Sequence, residues 1–228
     1  MAVLKSKCDE FAKVVSCSAL TRHDSLIFYR HIYVPSVAYP LSTTHFQASE
    51  LDKIQRKATR AITRCCGYWK GTAWAIIYGP TDYGGADFLN FMDSQGIQQI
   101  QMLLKHWRTP SIPSHLTKIA LSWWQFVSGT STPILEDHTF LPQIWKESKY
   151  VESIRRYLLS IGATIEVDQK FLPPLQREHD AYFMDLVLAS KKYNTTETTY
   201  INWCRLHLQV LTVSDMALAN GRWIDPAI

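Results

Sequence analysis

The sequence predicts a mainly α-helical protein. Apolar residues recur at helical spacing along most of the chain, capping residues and glycines bracket those stretches, and strand-like alternation is confined to short runs. With 228 residues, 46% of them hydrophobic and 19% charged, the chain can bury a core and is too apolar for a disordered tail. The expected organisation is a three-helix bundle at 1–70 and a helical extension at 71–228 with at most a few short strands.

Three helices are expected in the first part. The first covers about 3–19. The second is capped by Thr21 and Asp24, carries Leu26, Ile27, Tyr29, Ile32 and Tyr33, and is disturbed near its end by Pro35 and Pro40. The third opens at Ser49, with Asp52 as an imperfect capping box, and runs to about Cys66 before Gly67.

From 68 to 85 the helical period disappears, and Gly79, Gly84 and Gly85 punctuate a loop with a short strand. A helical hairpin follows. Ile97, Ile100, Leu103, Leu104 and Trp107 share one face; residues 109–113 turn the chain. Leu116, Ile119, Ala120, Trp123, Phe126 and Val127 then form the apolar face of a helix ending at Gly129. Leu104, Trp107, Leu116, Trp123 and Phe126 are expected to be buried.

Residues 129–149 read as a connection. Val151, Ile154, Leu158 and Ile161 mark another helix, closed by Gly162, and Ile165 and Val167 a short strand. Helices are expected over 180–189 and 200–211, with Thr212 or Ser214 capping a last short one before Gly221. No internal repeat is visible.

Several function classes fall away. No stretch approaches the roughly 20 apolar residues of a membrane span. Lys5, Lys7, Asp9, Glu10 and Lys13 crowd the start too densely for a signal peptide. The five cysteines show no C-x-x-C spacing, which supports neither a disulfide framework nor a zinc knuckle. An intracellular protein, nuclear or cytoplasmic, is expected, and the Asn194-Thr195-Thr196 sequon has little weight.

Charge is unevenly spread. Residues 1–70 hold eleven Lys/Arg against five Asp/Glu, a surplus of six, whereas residues 71–228 hold thirteen against fifteen. A polyanion site is therefore expected in the first part. At 100° per residue, Lys53, Arg56, Lys57, Arg60 and Arg64 fall within an arc of about 100°, and Lys70 follows. Leu51, Ile54, Ala58, Ala61, Ile62 and Cys65 occupy the other side. Such a row suits a phosphate backbone, since each cation can neutralise one phosphate and release its counterions. A solvated outer face, a membrane-surface helix and a dock for an acidic protein are the alternatives.

Catalytic motifs are missing. There is no Asp-Asp pair of the kind that holds divalent ions for nucleotidyl transfer, no Walker loop, no H-E-x-x-H and no G-x-S-x-G. Eight histidines are scattered, and Trp123-Trp124 reads as core rather than as a base-stacking pair. An enzyme would need a site assembled from residues such as His179, Asp180 and Arg205.

The strings YRHIYVPSVAYPL (29–41) and ELDKIQRKATRAITRCCGY (50–68) resemble the region just after the palm in non-LTR-retrotransposon reverse transcriptases. The matching positions are Tyr33, Pro35, Ser36, Tyr39, Leu51, Ile54, Gln55, Lys57 and Arg60. The resemblance extends through YGPTDYGG (78–85), QGIQQIQMLLKHWR (95–108), Ser128-Gly129, Asp180, CRLHLQVLTVSD (204–215) and Gly221, which look like an extension found in one group of such proteins. It implies a thumb-like bundle whose basic face tracks an RNA or DNA template–primer duplex, alongside the rest of the polymerase. Fingers and palm are absent, so no polymerase activity carries over. The resemblance implies no cofactor in this chain, the divalent metal belonging to the missing palm, and an end that falls inside a longer parent.

Overall fold

A computed structural model of the chain describes residues 2–17, 19–137, 149–167, 171–218 and 220–224. It is mainly helical, as expected. Among the described residues strand pairing is limited to two isolated bridges, Tyr182 with Thr212 and Ala217 with Trp223. The strands expected near 68–85 and at Ile165 and Val167 do not form. The first stretch holds a short helix and a 3₁₀ turn, and Ile165 and Val167 each make one hydrogen bond to residues 135–136. No described helix is long and apolar enough to cross a membrane.

The chain divides into two compact units, 1–102 and 103–228. Residues 71–102, expected in the extension, belong with the first unit, because Ile77, Phe88 and Phe91 complete its core.

In the first unit, α1 (Ala2–Cys17) buries Leu4, Cys8, Phe11, Ala12 and Val15 at helical spacing. The expected cap then forms: Thr21 Oγ1 accepts the Asp24 N–H and the Asp24 carboxylate accepts the Thr21 N–H. It starts α2 (Arg22–Phe28). The two prolines do not end the helical path. A π-helical turn, Tyr29–Tyr33, leads directly into α3 (Val34–Thr43), and Pro35 lies just past that turn. Pro40, inside α3, cannot donate to the Ser36 carbonyl, which instead accepts Lys7 Nζ at 2.8 Å.

Next comes α4 (Ala48–Cys65), which starts before the expected Ser49. The carboxylate that serves its start is Glu50, accepting the Gln47 N–H at 2.9 Å, while Asp52 instead pairs with Arg56. Leu51, Ile54, Ala58 and Ile62 are buried in a core shared with α1 and the aromatic rings of Phe11, Tyr29, Tyr33, Phe88 and Phe91. Each fully buried Leu or Ile contributes about 1.5–3 kcal/mol. A short α5 (Trp74–Tyr78) and α6 (Phe91–Arg108) follow.

Buried glutamines join these pieces. Gln55 Oε1 accepts the Phe91 N–H at 2.8 Å and so caps α6 from another helix. Gln95 both accepts from and donates to the Phe46 backbone, and Gln99 donates to the Thr44 carbonyl, fixing the loop before α4.

The second unit contains α7 (Ile112–Ser128), α8 (Lys149–Ile161), α9 (Phe183–Ser190) and α10 (Thr195–His207). The sequon residue Asn194 caps α10, accepting the Thr196 and Glu197 N–H groups. Thr212 starts the last 3₁₀ turn, Val213–Asp215. Part of the connection expected over 129–149 lies outside the described residues. Val151, Ile154 and Leu158 are buried as the pattern predicts, but Ile161 is exposed.

The face assigned to α7 is corrected. Ile112, Leu116, Ile119, Trp123 and Phe126 form an exposed apolar stripe, whereas Leu121, Trp124 and Val127 are buried. Gln125 and Ser128 are buried too, because the Gln125 amide holds the following loop through Thr132 O and the Ile134 N–H. Leu104 and Trp107, also expected inside, are half-buried.

Candidate nucleic-acid interface

The cations on α4 occupy its solvent side because the opposite side is fixed in the core. Lys53, Arg56, Lys57, Arg60 and Arg64 are all exposed, and Lys70 lies beyond the helix end, also exposed. Two carboxylates reach the row. Asp52 pairs with Arg56 one turn away, and Asp9 of α1 lies 3.0 Å from Lys57 Nζ. Among the described residues, Lys53, Arg60, Arg64 and Lys70 make no ion pair. Both pairs are exposed, and exposed pairs contribute only about 0–1 kcal/mol, so a phosphate can displace the carboxylate.

The end of α4 sets what lies beside the row. Gly67 takes the left-handed conformation (φ +82°), its N–H bonds to Arg64 O, and the Tyr68 N–H bonds to Thr63 O. This closure leaves the last carbonyls satisfied and turns the chain sharply. Tyr68, Trp69 and Lys70 consequently lie on the same side as Arg60, Arg64 and Trp74 at the start of α5. The result is a cleft of about 580 Å³ lined by Arg60, Arg64, Lys70, Tyr68, Trp69 and Trp74 among others. Trp69 is 72% exposed and Trp74 46% exposed, although Trp74 stacks on Tyr78 with ring centroids 5.5 Å apart. Among the described residues no carboxylate lines the cleft. A shallower groove between α1 and α4 adds Lys13 to Lys57, Arg60 and Arg64.

Sequence reasoning missed Lys13, Trp69 and Trp74. The signal for Trp69 was local: aromatic residues interleaved with a cation, Tyr68-Trp69-Lys70, directly after a basic helix. Lys13 had none, since only the packing of α1 on α4 brings it near.

The residues considered for an assembled enzyme site have separate local roles. His179 is exposed beside Glu178. Asp180 accepts from the backbone and hydroxyl of Ser214. Arg205 is buried and donates to the carbonyls of Phe126, Val127 and Val210. Among the described residues no group of three or more His, Cys, Asp or Glu side chains is placed to hold a metal ion.

No protein-family model matches the chain, and no curated protein or solved structure shows significant similarity to it.

Proposed function

We propose that this chain is a non-catalytic part of a retroelement reverse transcriptase, a thumb-like unit that grips the template–primer duplex through α4. The observation that carries the reading is the exposed row Lys53, Arg56, Lys57, Arg60 and Arg64 on a helix whose other face is locked into a core. A rigid row of cations offers phosphates a preorganised track, and contacts of that kind position a protein without reading bases. The resemblance in 29–41 and 50–68 supports the polymerase context, and the cellular setting would be nuclear or cytoplasmic.

The test is a salt titration of duplex binding. Five phosphate contacts give a log–log slope of roughly −4 to −5 on B-form DNA. Arg60→Ala with Arg64→Ala, at positions free of ion pairs among the described residues, should flatten it by about two units while the fold persists. Equal slopes for the two folded proteins would move the site elsewhere. The second reading is a dock for an acidic protein, favoured by the engagement of Asp9 and Asp52 with the row. It takes over if the wild type fails to bind duplex at low salt.

A further inference from the structure

We infer that the cleft at the end of α4 is a subsite for an unpaired nucleotide, taken from the single-stranded continuation of a nucleic acid held on the row. The inference deepens the proposed function, and it rests on that reading only for the adjoining duplex. The paired strands of a duplex present phosphates and groove edges to a protein, so indole faces find nothing there on which to stack. Bases become accessible where pairing ends, and stacking then tolerates any sequence because every base has a π-face. The cleft offers this combination. Trp69 supplies an indole left largely open to water and Trp74 a half-exposed one, while Arg60, Arg64 and Lys70 supply cations for the flanking phosphates. Arg60 and Arg64 belong to both features, so a strand leaving the row enters the cleft without crossing a neutral gap. The volume of about 580 Å³ falls in the range of sites that enclose a small organic ligand.

Gly71 holds the geometry. The Trp69 ring lies over it, and a Cβ at this position would come within 1.8 Å of the indole. A side chain there would push the ring aside without removing any charge.

The experiment compares binding of the full chain to a blunt hairpin duplex, to the same hairpin with a short oligothymidine tail, and to free oligothymidine, by fluorescence anisotropy. The tail should raise affinity about tenfold, the effect of stacking on the order of one base. Trp69→Ala with Trp74→Ala should abolish that gain and leave blunt-duplex affinity and its salt slope unchanged. Gly71→Ala should reduce the gain in the same way, whereas Trp69→Phe should retain most of it. Circular dichroism confirms folding, and Gly71→Ala and Trp69→Phe keep the test decisive if the double variant fails to fold.

Equal affinity for blunt and tailed hairpins, or a tail gain that survives Gly71→Ala and the loss of both indoles, overturns the subsite and leaves the duplex reading intact. Trp69-dependent binding of oligothymidine with no binding of blunt duplex does the reverse: it upholds the subsite and overturns the duplex reading. Failure to bind any of the three overturns both.

Discussion

Arg205 shows how one side chain can organise a unit. Its guanidinium donates to Asn202 Oδ1 and to the carbonyls of Phe126, Val127 and Val210, at 2.8–3.2 Å. These carbonyls include the last turn of α7, where acceptors lack helical partners. Gly129 is part of the arrangement: its φ is +68°, and a Cβ would sit 2.7 Å from the Arg205 Cζ. The end of α7 and the 204–215 run, far apart in sequence, thus meet in one hydrogen-bond network. Arg205→Leu should destabilise the protein by about 2–4 kcal/mol, because several buried acceptors lose their donor together. Arg205→Lys should not rescue it, since an ammonium lacks the planar fork. Urea denaturation measures both, and a wild-type midpoint for Arg205→Leu would exclude this role.

Asp180 adds a pH dependence. Burial raises its pKa, but hydrogen bonds from Ser214 and from the Ala181 N–H outweigh that and hold the carboxyl below its usual value. A depressed folded-state pKa means stability that is fully present above the unfolded value, about pH 4, and lost as the pH falls through the folded one. Acid titration of the wild type should show this loss, and Asp180→Asn should show less of it. Identical acid transitions for the two proteins would assign the dependence to other groups.

At the scale of the element, α7 is apolar on two sides. Ile112, Leu116, Ile119, Trp123 and Phe126 follow alternating spacings of four and three, the pattern of a buried seam, yet they face water. The two adjacent tryptophans therefore separate cleanly. Trp124, 5% exposed, should cost about 3–5 kcal/mol when replaced by Ala. Trp123, 54% exposed, should change stability by only about 0.5 kcal/mol. Thermal melts of the two single variants check this, and equal losses would contradict the face assignment. In α4 the same logic gives the opposite result: its apolar side is the buried one, which leaves every cation of the row outside.

For the whole molecule, the first unit carries both the cation row and the aromatic cleft, and the cations of both lie in the part of the chain that holds the basic surplus. The proposed role contributes binding to the reaction, and the sequence has no Asp-Asp pair of the kind that holds divalent ions for nucleotidyl transfer. The purified chain should show no primer extension with magnesium or manganese on RNA or DNA templates. Template-dependent incorporation above a heat-killed control would contradict the non-catalytic assignment.

The sequence by itself determined the mainly helical fold class, the Thr21–Asp24 cap, the end of α4 at Gly67 and the arc of cations. These depend on side chains three or four residues apart, so they are legible wherever the period is clear. Tertiary structure alone decided which side of α7 is core, that Gln55, Gln95 and Gln99 are inside, that Asp9 reaches Lys57, and that Trp74 joins Trp69 beside Arg64. A glutamine can be buried only if a backbone group elsewhere satisfies its amide, and for Gln95 that group is Phe46, 49 residues away. Local pattern holds no record of such a partner. The first unit was therefore readable as a helical bundle with a basic face, whereas the cleft beside that face came into view only once the chain had turned at Gly67.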